Sequence, residues 1–188
     1  MPAPARADWH IMPYLAVAFG GDTNIIKLGL DPGGAVKKRH NGFGVSVGLI
    51  SSGWFGVEGD LAFVPAFFGD RSVTVASSRL TTLSGNIVVL VPRRVVGDSL
   101  RPYATGGLGL VRAGVSFDSD ALEPLARNLI GFNVGGGVTG FLTDRAGVRW
   151  DLRYFRGTSG DDDLSVTGGT GTPTLSFWRL SMGAVLRY

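Results

Sequence analysis

Hydrophobic and polar residues alternate along most of this chain with a period of two, the mark of β-strands whose two faces meet different surroundings. From Trp9 to Phe19, one face carries Trp9, Ile11, Pro13, Leu15, Val17 and Phe19, and the other His10, Met12, Tyr14, Ala16 and Ala18. Pro13 removes one ladder donor from this strand. Between Asn41 and Ile50, the large residues Phe43, Val45, Val47 and Leu49 alternate with Gly42, Gly44, Ser46 and Gly48. Bulk on one face and almost none on the other suits a narrow barrel with little room inside. A third strand, Trp54 to Phe63, sets Phe55, Val57, Leu61 and Phe63 against Glu58 and Asp60. A fourth, Leu80 to Val91, sets Leu83, Ile87, Val89 and Val91 against Thr82, Ser84 and Asn86.

The fifth strand, Tyr103 to Val111, is so rich in glycine that its outward face is not assignable. In the sixth, Leu129 to Leu142, Ile130, Phe132, Val134, Val138 and Leu142 oppose Asn133 and Thr139. The seventh has the sharpest contrast, with Val148, Trp150, Leu152 and Tyr154 alternating with Arg149, Asp151 and Arg153. The eighth, Leu175 to Tyr188, places Trp178, Leu180, Met182, Ala184, Leu186 and Tyr188 opposite Arg179, Ser181, Gly183 and Arg187.

The connections alternate as well. Ser51 to Gly53, Pro92 to Pro102 and Thr143 to Arg145 are the short ones; Gly20 to His40, Val64 to Arg79, Arg112 to Asn128 and Arg156 to Thr174 are long and polar. Short turns at one end and long loops at the other are typical of barrels that cross a bacterial outer membrane. A soluble barrel or sandwich has no physical reason to repeat that asymmetry at every connection. The fold expected is therefore all-β: a closed, antiparallel, up-and-down transmembrane β-barrel of about eight strands.

Composition agrees with this. Among 188 residues, 44% are hydrophobic and only 18% are charged, below the roughly 25% usual in soluble domains. Yet no apolar run approaches the ~18 residues a membrane-spanning helix needs. With 30 Gly and no Cys, the chain has no disulfide framework and no thiolate metal site. Its net charge of +3 is spread without a basic, aromatic-interleaved stripe, so nucleic acid is not an expected partner. Ala5-Arg6-Ala7 has the small-x-small form of a signal-peptidase site. Residues 1–7 are thus expected to be an export-signal remnant or a leader, and residues 8–188 the barrel domain.

The segments FGVEGDLAFVPAFFGD (from Phe55), TTLSGNIVVLVP (from Thr81), RPYATGGLGLVRAGV (from Arg101) and GFNVGGGVTGFLTDRAGVRWDLRYFR (from Gly131) resemble small outer-membrane β-barrel proteins. The group is broad and includes opacity-type and OmpA-like membrane domains. The resemblance runs over nearly the whole chain from Asp8 and specifies fold better than function. It implies integral insertion in outer-membrane lipid. It also implies that the aromatic-ended last strand is read by the outer-membrane assembly machinery, although Tyr188 stands where Phe is more usual.

Six charged residues fall on the expected inner face: Glu58, Asp60, Arg149, Asp151, Arg153 and Arg179. Unpaired charges in a narrow, partly dehydrated interior are costly, so these six are expected to pair into a structural network rather than form a gate or proton path. Trp9, Tyr14, Phe19, Trp54, Tyr103, Tyr154, Trp178 and Tyr188 lie near strand ends and are expected to supply two interfacial girdles. Catalysis finds no support, because the two imidazoles, His10 and His40, have no neighbouring H-x-S arrangement on a strand. Asp161-Asp162-Asp163 lacks the alternating ligands of a calcium loop. The glycine clusters at Gly106 and Gly135 lead into no helix and so provide no phosphate site. Asp120 to Arg127 is expected to hold at most one helical turn, limited by Pro124. The sequence thus points to a structural or surface-interaction barrel with a filled lumen, without metal or cofactor; the alternative is a small porin-like channel. The partner of the loops stays open.

Overall fold

The computed structural model describes residues 7–20, 39–65, 75–96, 100–117, 125–158 and 174–188. Eight strands follow one another: β1 (Ala7–Phe19), β2 (His40–Ser51), β3 (Phe55–Pro65), β4 (Val75–Leu90), β5 (Arg101–Phe117), β6 (Leu125–Phe141), β7 (Ala146–Thr158) and β8 (Thr174–Arg187). Each pairs antiparallel with the next, and β8 returns to β1 to close the barrel. A short helix, α1 (Arg93–Val96), sits in the connection between β4 and β5. Closure matters because an open sheet edge in hydrocarbon leaves backbone groups without partners, at several kcal/mol each.

Alternation becomes geometry directly. Odd residues of β1 face out, while Met12, Tyr14, Ala16 and Ala18 are buried inside. The same holds on β3, where Phe55, Val57 and Leu61 are exposed and Glu58, Asp60 and Ala62 are buried. Leu15 on β1 is 74% exposed and Leu108 on β5 is 71% exposed, which is favourable only where the outer surround is itself apolar. From Trp9 to Phe19 the strand rises about 23 Å at the usual tilt, close to the ~25 Å apolar band of outer-membrane barrels. The phase of β5, unreadable from the sequence, is now fixed: Arg101, Tyr103, Thr105 and Val111 point inward, and Leu108 and Leu110 outward.

Pro13 leaves its mark on the closing seam. The β1–β8 ladder pairs Ile11 with Leu186, steps over Met12 and Pro13, and resumes at Tyr14 with Gly183. Strands β4, β5 and β6 run further toward the long-loop end than their alternation suggests, to Val75, Phe117 and Leu125. Arg112, Asn128 and Leu125 to Arg127 are therefore strand residues, not loop or helical turn. The Asp161 to Asp163 run and residues 1–6 lie outside the described residues; Ala7 already pairs with Ser51.

The inner face is layered. Near the short turns, Ile50, Val88, Leu90 and Tyr103 form one apolar cluster. Met12, Tyr14, Ala16, Ala62 and Val185 form a second. Toward the long loops lies a third, of Ala18, Val64, Leu80, Val111, Leu129, Phe155, Leu175 and Phe177. There the Phe155 and Phe177 rings stack with centroids 5.0 Å apart.

Candidate functional site: the barrel interior and its girdles

Glycines on the inner face make room for two large polar side chains. Tyr14 is paired with Gly44 on one side and Gly183 on the other. A Cβ at Gly44 would come within 2.5 Å of the Tyr14 ring, so only glycine admits it. Tyr103 likewise pairs with Gly137, where a Cβ would come within 2.5 Å of the Tyr103 hydroxyl. Each tyrosine then lies across the interior and donates its hydroxyl to a carboxylate, Tyr14 to Asp60 Oδ2 at 2.7 Å and Tyr103 to Asp151 Oδ2.

All six charged residues named from the sequence are buried inside the barrel and ion-paired in two groups, Glu58 and Asp151 with Arg149 and Arg153, and Asp60 with Arg179. Arg153 reaches Glu58 Oε1 at 2.6 Å and Asp151 Oδ1 at 2.7 Å. Arg149 pairs with Glu58 Oε2, lies 3.3 Å from Asp151 Oδ2, and donates from Nε to the Tyr103 hydroxyl at 2.6 Å. Arg179 binds Asp60 Oδ1 at 2.8 Å, and its guanidinium packs 4.7 Å from the Phe155 ring centroid. Arg153 and Arg179 are direct cross-strand neighbours, a like-charge juxtaposition that is unfavourable unless compensated. Glu58 and Asp60, two residues apart on β3, supply that compensation, one carboxylate to each arginine. Three arginines thus face three carboxylates, and each of the two groups is electrically neutral.

Around this core lie polar residues that the sequence did not single out as a network. Asn133 Nδ2 donates to Asn86 Oδ1 at 2.7 Å, and Asn86 Nδ2 to Ser84 Oγ at 3.3 Å. At the short-turn end, Arg101 donates to the Val91 carbonyl at 2.7 Å and the Gly53 carbonyl at 2.5 Å, tying two turns together across the mouth. Inward phase on β4 and β6, the strands next to those carrying Glu58 and Arg149, was the available signal for Ser84, Asn86 and Asn133; glycine-rich β5 hid Arg101 and Tyr103.

The girdle residues divide. Trp9 and Tyr188 face outward at the short-turn end, joined by mutual backbone hydrogen bonds of 3.0 and 3.1 Å. Trp54, in the short β2–β3 turn at the same end, is exposed. Tyr154 and Trp178 pair across β7 and β8 near the long-loop end, with ring centroids 5.2 Å apart. Tyr103 and Tyr14 are not girdle residues. Both are buried inside, because glycine partners open space there and carboxylates draw their hydroxyls inward. His10 is also inside, edge-on to Phe141 at 5.6 Å, near the short turns, while His40 opens β2 at the other end.

A closed eight-strand antiparallel barrel with an apolar outer wall, aromatic ends and a polar, ion-paired interior defines the class of integral outer-membrane barrels. The chain belongs to the outer membrane protein beta-barrel domain family, which it matches over residues 1–177. It is an integral protein of the bacterial outer membrane. Among solved structures it is similar to neisserial surface protein A (NspA), with a TM-score of 0.68 and 14% identity, covering 96% of this chain and 97% of that one. It is also similar to OprG from Pseudomonas aeruginosa, with a TM-score of 0.63 and 14% identity over 98% and 97% of the two chains. A third is Ail, the attachment invasion locus protein of Yersinia pestis in complex with the heparin analogue sucrose octasulfate, with a TM-score of 0.54 and 16% identity over 95% and 99%. Comparison with curated sequences finds no match. At these identities the likenesses establish the fold.

Proposed function

We propose that the protein is a sealed, non-catalytic membrane anchor whose long loops serve surface interaction, adhesion or envelope integrity, held by a barrel with a filled lumen. The observation that carries this is the pair of neutral ion-paired groups, Glu58 and Asp151 with Arg149 and Arg153, and Asp60 with Arg179, reaching across the interior and followed, toward the long loops, by the Phe155–Phe177 apolar layer. The six charges balance one another, and the apolar layer above them opposes a continuous water path. The two imidazoles sit toward opposite ends of the barrel, His10 against the Phe141 ring and His40 at the start of β2. The attachment named for Ail is one role that this fold can host.

A porin-like channel is the rival reading. It draws on Arg153 Nη1, Arg179 Nε and Asn133 Oδ1, buried polar atoms with no protein partner, which a file of water through the interior would serve. Liposome swelling separates the two. Proteoliposomes in iso-osmotic sugar or amino acid should swell no faster than protein-free ones; solute-dependent swelling would favour the channel.

A further inference from the structure

On four consecutive strands, β4 to β7, the outward apolar face stops toward the long loops at arginine or asparagine. Leu83 on β4 gives way to Thr81 and Arg79, Leu110 on β5 to Arg112, Ile130 on β6 to Asn128, and Tyr154 on β7 to Arg156. Arg79, Arg112, Asn128 and Arg156 are all exposed. The register gathers them. Arg112 stands directly opposite Thr81 and Asn128, and Arg79, opposite Gly114, is its diagonal neighbour. Diagonal neighbours lie about 7–8 Å apart, within reach of long side chains. The other half of the barrel reaches the same edge without cation, at Phe19 on β1, Asn41 on β2, Pro65 on β3 and Ser176 on β8.

The protein does not balance these charges itself. Arg79, Arg112 and Arg156 form no ion pair among the described residues. The described carboxylates lie elsewhere, Asp8 and Asp144 at the short-turn end and Glu58, Asp60 and Asp151 inside. Like charges side by side on a sheet are destabilising, which an anion between them relieves. Position says which anion. Arg79 lies ten residues from Val89 on the same face of β4, a rise of about 23 Å at the usual tilt and so close to the full height of the apolar band. Beyond the arginines, β4 and β5 run on to Val75 and Phe117. The arginines therefore face sideways from the wall at headgroup level, not upward from its rim. From β4 to β7 the band covers three strand spacings, about 14 Å, wider than a single phosphate.

We propose that this half-girdle binds a lipid headgroup carrying two phosphates in the leaflet at the long-loop end. Arg79 and Arg112 take one phosphate, Arg156 the other, and Asn128 lies between them. Guanidinium meets phosphate through paired, charge-assisted hydrogen bonds, which gives the site geometry as well as charge. The proposal rests on the membrane location and is independent of whether the interior is sealed. It differs from apolar lipid contact in being confined to one side of the barrel and in requiring phosphate. The test is native mass spectrometry of the full chain refolded in detergent, each variant first shown folded by its unboiled gel mobility. The probes are lipid A with two phosphates, its monophosphoryl form and soluble inositol hexakisphosphate.

The unmodified protein should retain one bisphosphorylated lipid A in preference to the monophosphoryl form. Arg112→Gln should lower that retention about fivefold, the worth of one arginine near an anionic surface. Arg156→Gln should erase the preference between the two lipids. Arg94→Gln removes the same charge from α1, at the opposite end, and should leave retention unchanged. Equal retention of the two lipids by the unmodified protein would overturn the proposal. So would undiminished retention by Arg112→Gln, a preference that survives Arg156→Gln, or an equal loss from Arg94→Gln. Inositol hexakisphosphate held through the same arginines in place of lipid would assign the band to a polyanion of the water phase and overturn it as well.

Discussion

Glu58 on β3 and Arg153 on β7 stand on opposite walls of the barrel, four strands apart in either direction, and meet with Oε1 and Nη2 2.6 Å apart. A contact 95 residues apart in sequence therefore braces the full width of the interior. Removing one partner strands the other charge without its counter-ion in a low-dielectric space. Arg153→Ala should lower stability by about 3–5 kcal/mol. In urea titrations of refolded protein, the Glu58→Gln, Arg153→Met double variant should lose less than the sum of the two single losses. Strict additivity would show that the pair is not coupled.

Tyr103 and Tyr154 offer a paired test of which aromatic lies inside. Tyr103→Phe removes a donor to Asp151 and an acceptor for Arg149, and should cost about 1–3 kcal/mol. Tyr154→Phe, on the outer face against Trp178, should change stability by no more than about 0.5 kcal/mol. Equal effects would return Tyr103 to the girdle.

That misplacement shows where the sequence was legible. Seven strands declared their outward faces because lipid contact demands large apolar residues on one side only, as with Val148, Trp150, Leu152 and Tyr154 against Arg149, Asp151 and Arg153. On β5 both faces carry small residues, Gly107 and Gly109 inward and Ala104 and Gly106 outward, so period two had no amplitude to read. The added reaches of β4, β5 and β6 carry Arg79, Arg112 and Asn128, where alternation of apolar residues fails although the ladder continues. The ionic residues were legible as inward from their phase, but their partners were not. Glu58 and Arg153 meet only because eight strands close into a ring.

Glycines divide into two kinds with opposite responses to a methyl group. Gly137→Ala would drive a Cβ into the Trp150 carbonyl and the Tyr103 hydroxyl, and should destabilise by about 1–3 kcal/mol or block folding. Gly85→Ala meets nothing and should stabilise by about 0.5–1 kcal/mol through reduced chain entropy. Urea midpoints moving in the same direction for both would contradict the inward and outward assignments.

The last strand is the subject of a further proposal, that its aromatic end is what the assembly machinery reads. Leu186 pairs with both Ile11 and Ala146, and Tyr188 exchanges backbone hydrogen bonds with Trp9. Deleting Leu186 to Tyr188 should abolish surface assembly, while trimming residues 159–171 should leave it intact. Protease shaving of whole cells with a tag in the last long loop checks both. Normal display of the C-terminal deletion would refute the proposal.

The sealed interior is the claim on which the functional reading stands, and planar-bilayer conductance of the refolded protein tests it most directly. The account predicts no steady ohmic steps from the unmodified chain, and none from Glu58→Ala even though that variant is less stable. Regular, long-lived conductance steps from the unmodified protein would contradict it and make the barrel a channel.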